Sequence, residues 1–193
     1  MADQLQGRTV AILASSGVEE VELVEPRKAV RAAGGRTEVL SIESGEIQAM
    51  NHDVEKASRI PVDRPVSEAS VDDYDALLLP GGTTNPDHLR QDPDAVGFVR
   101  DFFATGKPVG VICHGPWTMV EADVVRGRTL TSWPSVRTDI RNAGGTVVDQ
   151  EVVIDRGLIS SRGPQDLPAF CSRIVEEFAK GPHAVPPADA TTR

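Results

Sequence analysis

Short apolar runs alternate with stretches of helical periodicity along most of the chain. Residues 9–14 (TVAILA) are almost continuously apolar, the pattern of a parallel strand covered on both faces, and the run stops at Ser15-Ser16-Gly17. Residues 21–33 then carry helical spacing, with Leu23, Val30 and Ala33 available for a buried side and Gly34-Gly35 as a stop. Pro26 falls inside this stretch and predicts a kink or a restart. A second strand over 37–42 completes a βαβ unit. Residues 43–75 are polar and broken by Pro61 and Pro65, and read as an elaborated connection with two short edge strands near 46–49 and 60–66.

The alternation resumes at Ala76-Leu77-Leu78-Leu79, which Pro80-Gly81-Gly82 cuts off, and continues with an amphipathic helix near 93–104 ended by Gly106. Val109-Gly110-Val111-Ile112 is the next buried strand. Helices follow near 116–122 and 135–143, then a hairpin pairing 151–154 with 158–160 around Asp155-Arg156-Gly157. The last helix, over 165–179, puts Leu167, Phe170, Cys171, Ile174, Val175 and Phe178 on one stripe, which assigns Cys171 to the core. Beyond Lys180 the segment has no periodicity, so the expectation is one α/β domain over 1–180 and a Pro- and Ala-rich tail over 181–193. Strand and helix in alternation predict a doubly wound sandwich, with a mostly parallel central sheet and helices on both faces. In such sheets sites form at the carboxyl ends of strands, here after Ala14, Leu79 and Ile112.

Composition narrows the function classes. A chain of 193 residues with 39% hydrophobic residues fits one globular domain, and 20 Lys+Arg against 29 Asp+Glu leave a net charge of -9. That balance speaks against nonspecific binding to nucleic acid or anionic lipid. No apolar run approaches the roughly 18–20 residues of a membrane span, and the polar start (Met1, Ala2, Asp3, Gln4) lacks the order of a signal peptide, so the expected compartment is the cytoplasm. Cys113 and Cys171 make no disulfide framework and no zinc spacing, and no metal or cofactor is expected.

The strand ending at Ile112 runs into Cys113-His114-Gly115-Pro116 and at once into a helix. Such an elbow exposes the first side chain at the sheet edge, points backbone N–H groups at it and sets it at the positive end of a helix, all of which favour a thiolate. The strand end after Ala14 carries Glu19 and Glu20, readable either as acids complementing a helix dipole or as a carboxyl beside the thiol. At the third strand end, the N–H of Gly82 together with that of His114 could form an oxyanion hole. His52 and His183 read as solvated; His88, after Asp87, either lines the crevice or is an exposed loop residue. Trp117 and Trp133 either wall a pocket or pack in the core.

Val18-Glu19-Glu20-Val21-Glu22-Leu23, the Leu79-Pro80-Gly81-Gly82 turn, Ile112-Cys113-His114-Gly115-Pro116, Leu130-Thr131-Ser132-Trp133-Pro134 and Ser161-Arg162 together resemble the PfpI-type intracellular protease family. That family lies in the superfamily of the Parkinson-associated deglycase and glyoxalase III-type chaperones, and the resemblance covers about residues 8–180. It implies a flavodoxin-like fold, Cys113 as nucleophile, His114 as its neighbouring base and Glu19 as the buried acid bonded to the thiol. The backbone amides of Gly82 and His114 would form the oxyanion hole. Protease-like members complete a triad with a glutamate from a neighbouring subunit; the matching position here is Asp87, one methylene shorter. A homodimer is implied, a higher oligomer being possible. Two functions of different class are therefore expected. One is a stress-response cysteine enzyme acting on a small carbonyl or peptide substrate, as protease, amidase, glyoxalase or deglycase. The other is a redox-sensing protein with an oxidisable Cys113. A glutamine amidotransferase is disfavoured, since the downstream His-x-Glu pair is missing.

Overall fold

A computed structural model describes residues 3–183, so the part of the expected tail over 184–193 lies outside the described residues. The chain opens with β1 (Thr9–Leu13), α1 (Glu20–Ala32) and β2 (Arg36–Ser41). The helix runs through Pro26 without a restart. Only one carbonyl, four residues back at Glu22, loses its helical donor there. The polar stretch that follows is not a pair of edge strands. β3 (Glu46–Asn51) and β4 (Glu55–Pro61) pair antiparallel as a separate hairpin, and only β5 (Arg64–Pro65) joins the main sheet, beside β2. The hairpin tip turns at His52 and Asp53, both with positive φ (54° and 64°), a region that His and Asp tolerate better than most residues.

Next come β6 (Ala76–Leu79), α2 (Thr84–Leu89), α3 (Pro93–Ala104) and β7 (Val109–Ile112). The short α2 occupies what reads in sequence as a loop. α3 begins where Asp92 accepts the Ala95 N–H at 2.9 Å, with Pro93 at its first position. The remainder is α4 (Pro116–Glu121), β8 (Thr129–Leu130), α5 (Arg137–Asn142), β9 (Thr146–Val147), β10 (Val152–Asp155), β11 (Leu158–Ser161) and α6 (Leu167–Lys180). A 3-10 turn at Pro134–Val136 takes the place of the expected first turn of α5.

The main sheet has seven strands in the order β10-β11-β7-β6-β1-β2-β5, parallel throughout except for β10. Successive residues of β1 face opposite ways: Val10 and Ile12 pack with α1 and α6, Ala11 and Leu13 with α3, α4 and α5. The architecture is the expected α/β flavodoxin-like sandwich. β1, β6 and β7 are adjacent, so their three carboxyl ends meet at one edge. No helix among the described residues is long and apolar enough to cross a membrane.

Two expectations change at the last helix and just beyond it. The buried stripe of α6 is Leu167, Phe170, Ile174 and Phe178 with Glu177, and Cys171 is only half-buried because it lies about 100° round the helix from Phe170. His183 is packed rather than solvated: its N–H donates to Gly106 at 2.8 Å and its imidazole lies 3.5 Å from the buried Glu177 carboxylate.

Candidate active site

Cys113 ends β7 in a left-handed backbone conformation, φ 61°, which a β-substituted residue adopts only under constraint. The constraint comes from both sides: its N–H donates to Ser161 of β11 at 3.1 Å and its carbonyl accepts the Trp133 N–H at 3.0 Å. The elbow thereby turns the thiol toward the carboxyl ends of β1 and β6, where it is 6% exposed.

The acid beside the thiol is Glu22, not Glu19. Glu22 lies in the first turn of α1 on the stripe that continues through Pro26 and Val30, and it is fully buried. Its Oε2 accepts the Gly81 N–H at 2.8 Å, and its carboxyl is electrostatically coupled to the Cys113 thiol. Oε1 is buried with no hydrogen-bond partner among the described residues. Only glycine fits between the two groups, since a Cβ at Gly81 would lie 2.5 Å from Glu22 Oε2 and 2.6 Å from Cys113 Cβ. Glu19 precedes the helix in an extended conformation, which sends its carboxylate to the hairpin tip; there it accepts the N–H groups of His52 at 3.1 Å and Asp53 at 3.4 Å. An acid at helical spacing from two apolar-stripe residues was the sequence signal for Glu22.

Burial raises the Glu22 carboxyl to about 8, helped by the charges of Glu19 and Asp53, so it is protonated at neutral pH. Burial and any charge on Glu22 push the Cys113 thiol up, and the backbone N–H groups of Gly82 and His114 pull it down. The elbow alone therefore does not yield the low thiol pKa that the sequence suggests. A protonated Glu22 reverses its own contribution, because a neutral donor replaces a second anion beside the sulfur. Gly82 presents its N–H to the sulfur from a turn with φ 79°.

His114 Nδ1 lies 3.1 Å from Sγ and its Nε2 3.1 Å from Ser135 Oγ. The ring sits between Trp117 and Trp133, centroids 5.4 and 5.8 Å away, and burial lowers its pKa, leaving a neutral imidazole that can take a proton. Trp117 is fixed from behind by Asp139, which accepts its indole N–H at 2.7 Å. The cavity over the sulfur measures about 290 Å³, and its lining includes Glu19, His52 and Asp53 together with Trp133 and Pro164. His52 thus rims the cavity, and neither it nor Asp53 could be placed there from sequence. Asp87 lies outside it, exposed on α2 with its side chain toward Gln91, and His88 lines a separate surface hollow with Ser16 and Glu43.

Residues 8–177 match the DJ-1/PfpI family. Over 164 residues the chain is 43% identical to the Protein/nucleic acid deglycase 2 of Escherichia coli, covering 84% of this chain and 93% of that protein. Among solved structures it is similar to a protein of Anabaena variabilis containing DJ-1/ThiJ/PfpI-like and ferritin-like domains (TM-score 0.83, 33% identity), covering 89% of this chain and, at 48%, about half of that two-domain chain. It is also similar to DJ-1beta of Drosophila melanogaster, with TM-score 0.80 and 26% identity over 93% of this chain and 91% of that one. Family match, shared fold and an elbow cysteine at the sheet edge agree, and the chain belongs to the DJ-1/PfpI family.

Proposed function

We propose that this protein is a cysteine-dependent enzyme of the glyoxalase or deglycase type, acting on small 2-oxoaldehydes or their adducts through Cys113. The observation that carries the reading is the pairing of the Cys113 sulfur with the protonated Glu22 carboxyl, with the neutral His114 imidazole 3.1 Å away. The similarity to an E. coli protein named as a deglycase supports it.

In this mechanism the thiol proton passes to His114 Nδ1, and Glu22 and two backbone N–H groups hold the resulting thiolate. The sulfur bonds to the aldehyde carbon; the oxyanion takes over the N–H bonds of Gly82 and His114 and receives the proton back, giving a thiohemiacetal. When the substrate is an adduct, its amine or thiol leaves as the sulfur–carbon bond forms. His114 then removes the C–H proton of the former aldehyde carbon, reprotonation at the neighbouring carbon gives a thioester, and water releases a 2-hydroxy acid and the free thiol. A peptidase is the weaker reading, because His114 Nε2 is engaged by Ser135 and among the described residues no carboxylate bonds the ring. The redox-sensor reading draws on the free Glu22 Oε1, which can donate to an oxygen added to the sulfur. Parallel assays of methylglyoxal loss and peptide hydrolysis, on wild type and Cys113→Ala, test the proposal. Cys113-dependent methylglyoxal loss is expected; equal rates in the two proteins, or peptide hydrolysis alone, would reject it.

A further inference from the structure

The cavity over Cys113 carries a charge that bond-making at the sulfur does not require. Glu19, Glu22 and Asp53 line it, and among the described residues no Lys or Arg does. Glu19 and Asp53 act only as acceptors, contacts that suit ionised carboxylates: Glu19 toward the hairpin-tip N–H groups, Asp53 toward the Thr83 N–H at 2.6 Å and hydroxyl at 2.8 Å. Two imidazoles complete the titratable lining; His114 is held neutral by burial, and His52 faces solvent. Glu22, fully buried, keeps Oε1 unpartnered in the same space.

We propose that the hairpin tip selects substrates by charge, with Asp53 as the specificity residue and Glu19 fixing its position. Carbonyl compounds carried on a guanidinium, an ammonium or an uncharged group are accepted, and aldehydes bearing a carboxylate or phosphate are rejected. The inference rests on Cys113 being the nucleophile for carbonyls, and deepens that reading. A unit charge several Å from Asp53, at a dielectric between protein and water, changes local concentration about tenfold in either direction.

The test measures access to the sulfur independently of turnover. Two methanethiosulfonates of similar size are used, one bearing 2-(trimethylammonium)ethyl and the other 2-sulfonatoethyl; in each, Sγ forms a disulfide and methanesulfinate leaves. Rates at Cys113, mapped by mass spectrometry, are divided by those with 2-mercaptoethanol. The expected cation-to-anion ratio is on the order of 100 in wild type, since attraction and repulsion multiply. Asp53→Asn removes both factors and should bring it near one, and about 0.5 M salt should lower it in wild type, which needs no variant to fold. A wild-type ratio near one, a ratio insensitive to salt, or one unchanged in folded Asp53→Asn overturns the proposal. Methylglyoxal turnover with a flat ratio rejects charge selection alone, and a steep ratio without turnover rejects the carbonyl reading alone.

Discussion

Replacing Glu22 with glutamine removes a titrating proton from the centre of the site while keeping the side chain's shape and its acceptor for the Gly81 N–H. In the folded protein burial raises the Glu22 carboxyl to about 8, against an ordinary value of 4.5 that the unfolded chain restores. A carboxyl raised by folding contributes stability that is complete below pH 4.5 and is lost as pH rises through 8, because the unfolded chain releases the proton first. At 1.36 kcal/mol per tenfold change in the proton equilibrium, the loss amounts to roughly 3–5 kcal/mol. Urea denaturation between about pH 4.5 and 8.5 measures it, at one protein concentration so that any association contributes equally. Both proteins should carry Cys113→Ala, which removes the thiol's own titration. The stability of the Glu22 protein is expected to fall relative to that of Glu22→Gln by several kcal/mol across this window. Parallel curves would mean that Glu22 is ionised at neutral pH, and its role as proton donor to the sulfur would be refuted.

Iodoacetamide at neutral pH should label Cys113 faster than Cys171, although burial pushes both thiols up, because His114 Nδ1 lies 3.1 Å from the Cys113 sulfur to take its proton and among the described residues no imidazole bonds Cys171; equal rates by peptide mapping would remove the case for an activated sulfur. Gly82→Ala places a methyl group against the Gly17 carbonyl at φ 79°, so thermal melts should show a loss of roughly 2–4 kcal/mol, with turnover reduced further than the folded fraction explains. If a neighbouring subunit's Asp87 completes a triad, light scattering should find a dimer or larger assembly and Asp87→Ala should abolish peptide hydrolysis. The expected outcome is a homodimer with weak peptidase activity that Asp87→Ala leaves unchanged.

The sheet was legible because its central strands are four- or five-residue apolar runs, long enough to mark burial on both faces and bounded by glycine or proline. The Cys113 elbow was legible for the same reason: the strand stops at the cysteine and Pro116 starts a helix at once. The β3–β4 hairpin was not, because it buries little beyond Ile47, Ala49 and Ile60 and its tip has no glycine to announce the turn. The exchange of Glu19 for Glu22 has a similarly local cause. Three acids stand within four residues, and which one points inward depends on where α1 begins. Helix spacing to Pro26 and Val30 selects Glu22, whereas proximity to the strand end suggests Glu19. Asp53 reaches the site only through the tertiary placement of the hairpin, fixed by Glu19 and by Thr83.

That Cys113 itself bonds the carbonyl carbon is tested most directly by mixing the native protein with methylglyoxal, quenching in acid during turnover and mapping the adduct by mass spectrometry. A lactoyl thioester on the Cys113 peptide, absent from Cys171 and lost in Glu22→Leu, is the expected result. Steady turnover with Cys113 unmodified, and equally fast in Cys113→Ala, would contradict it.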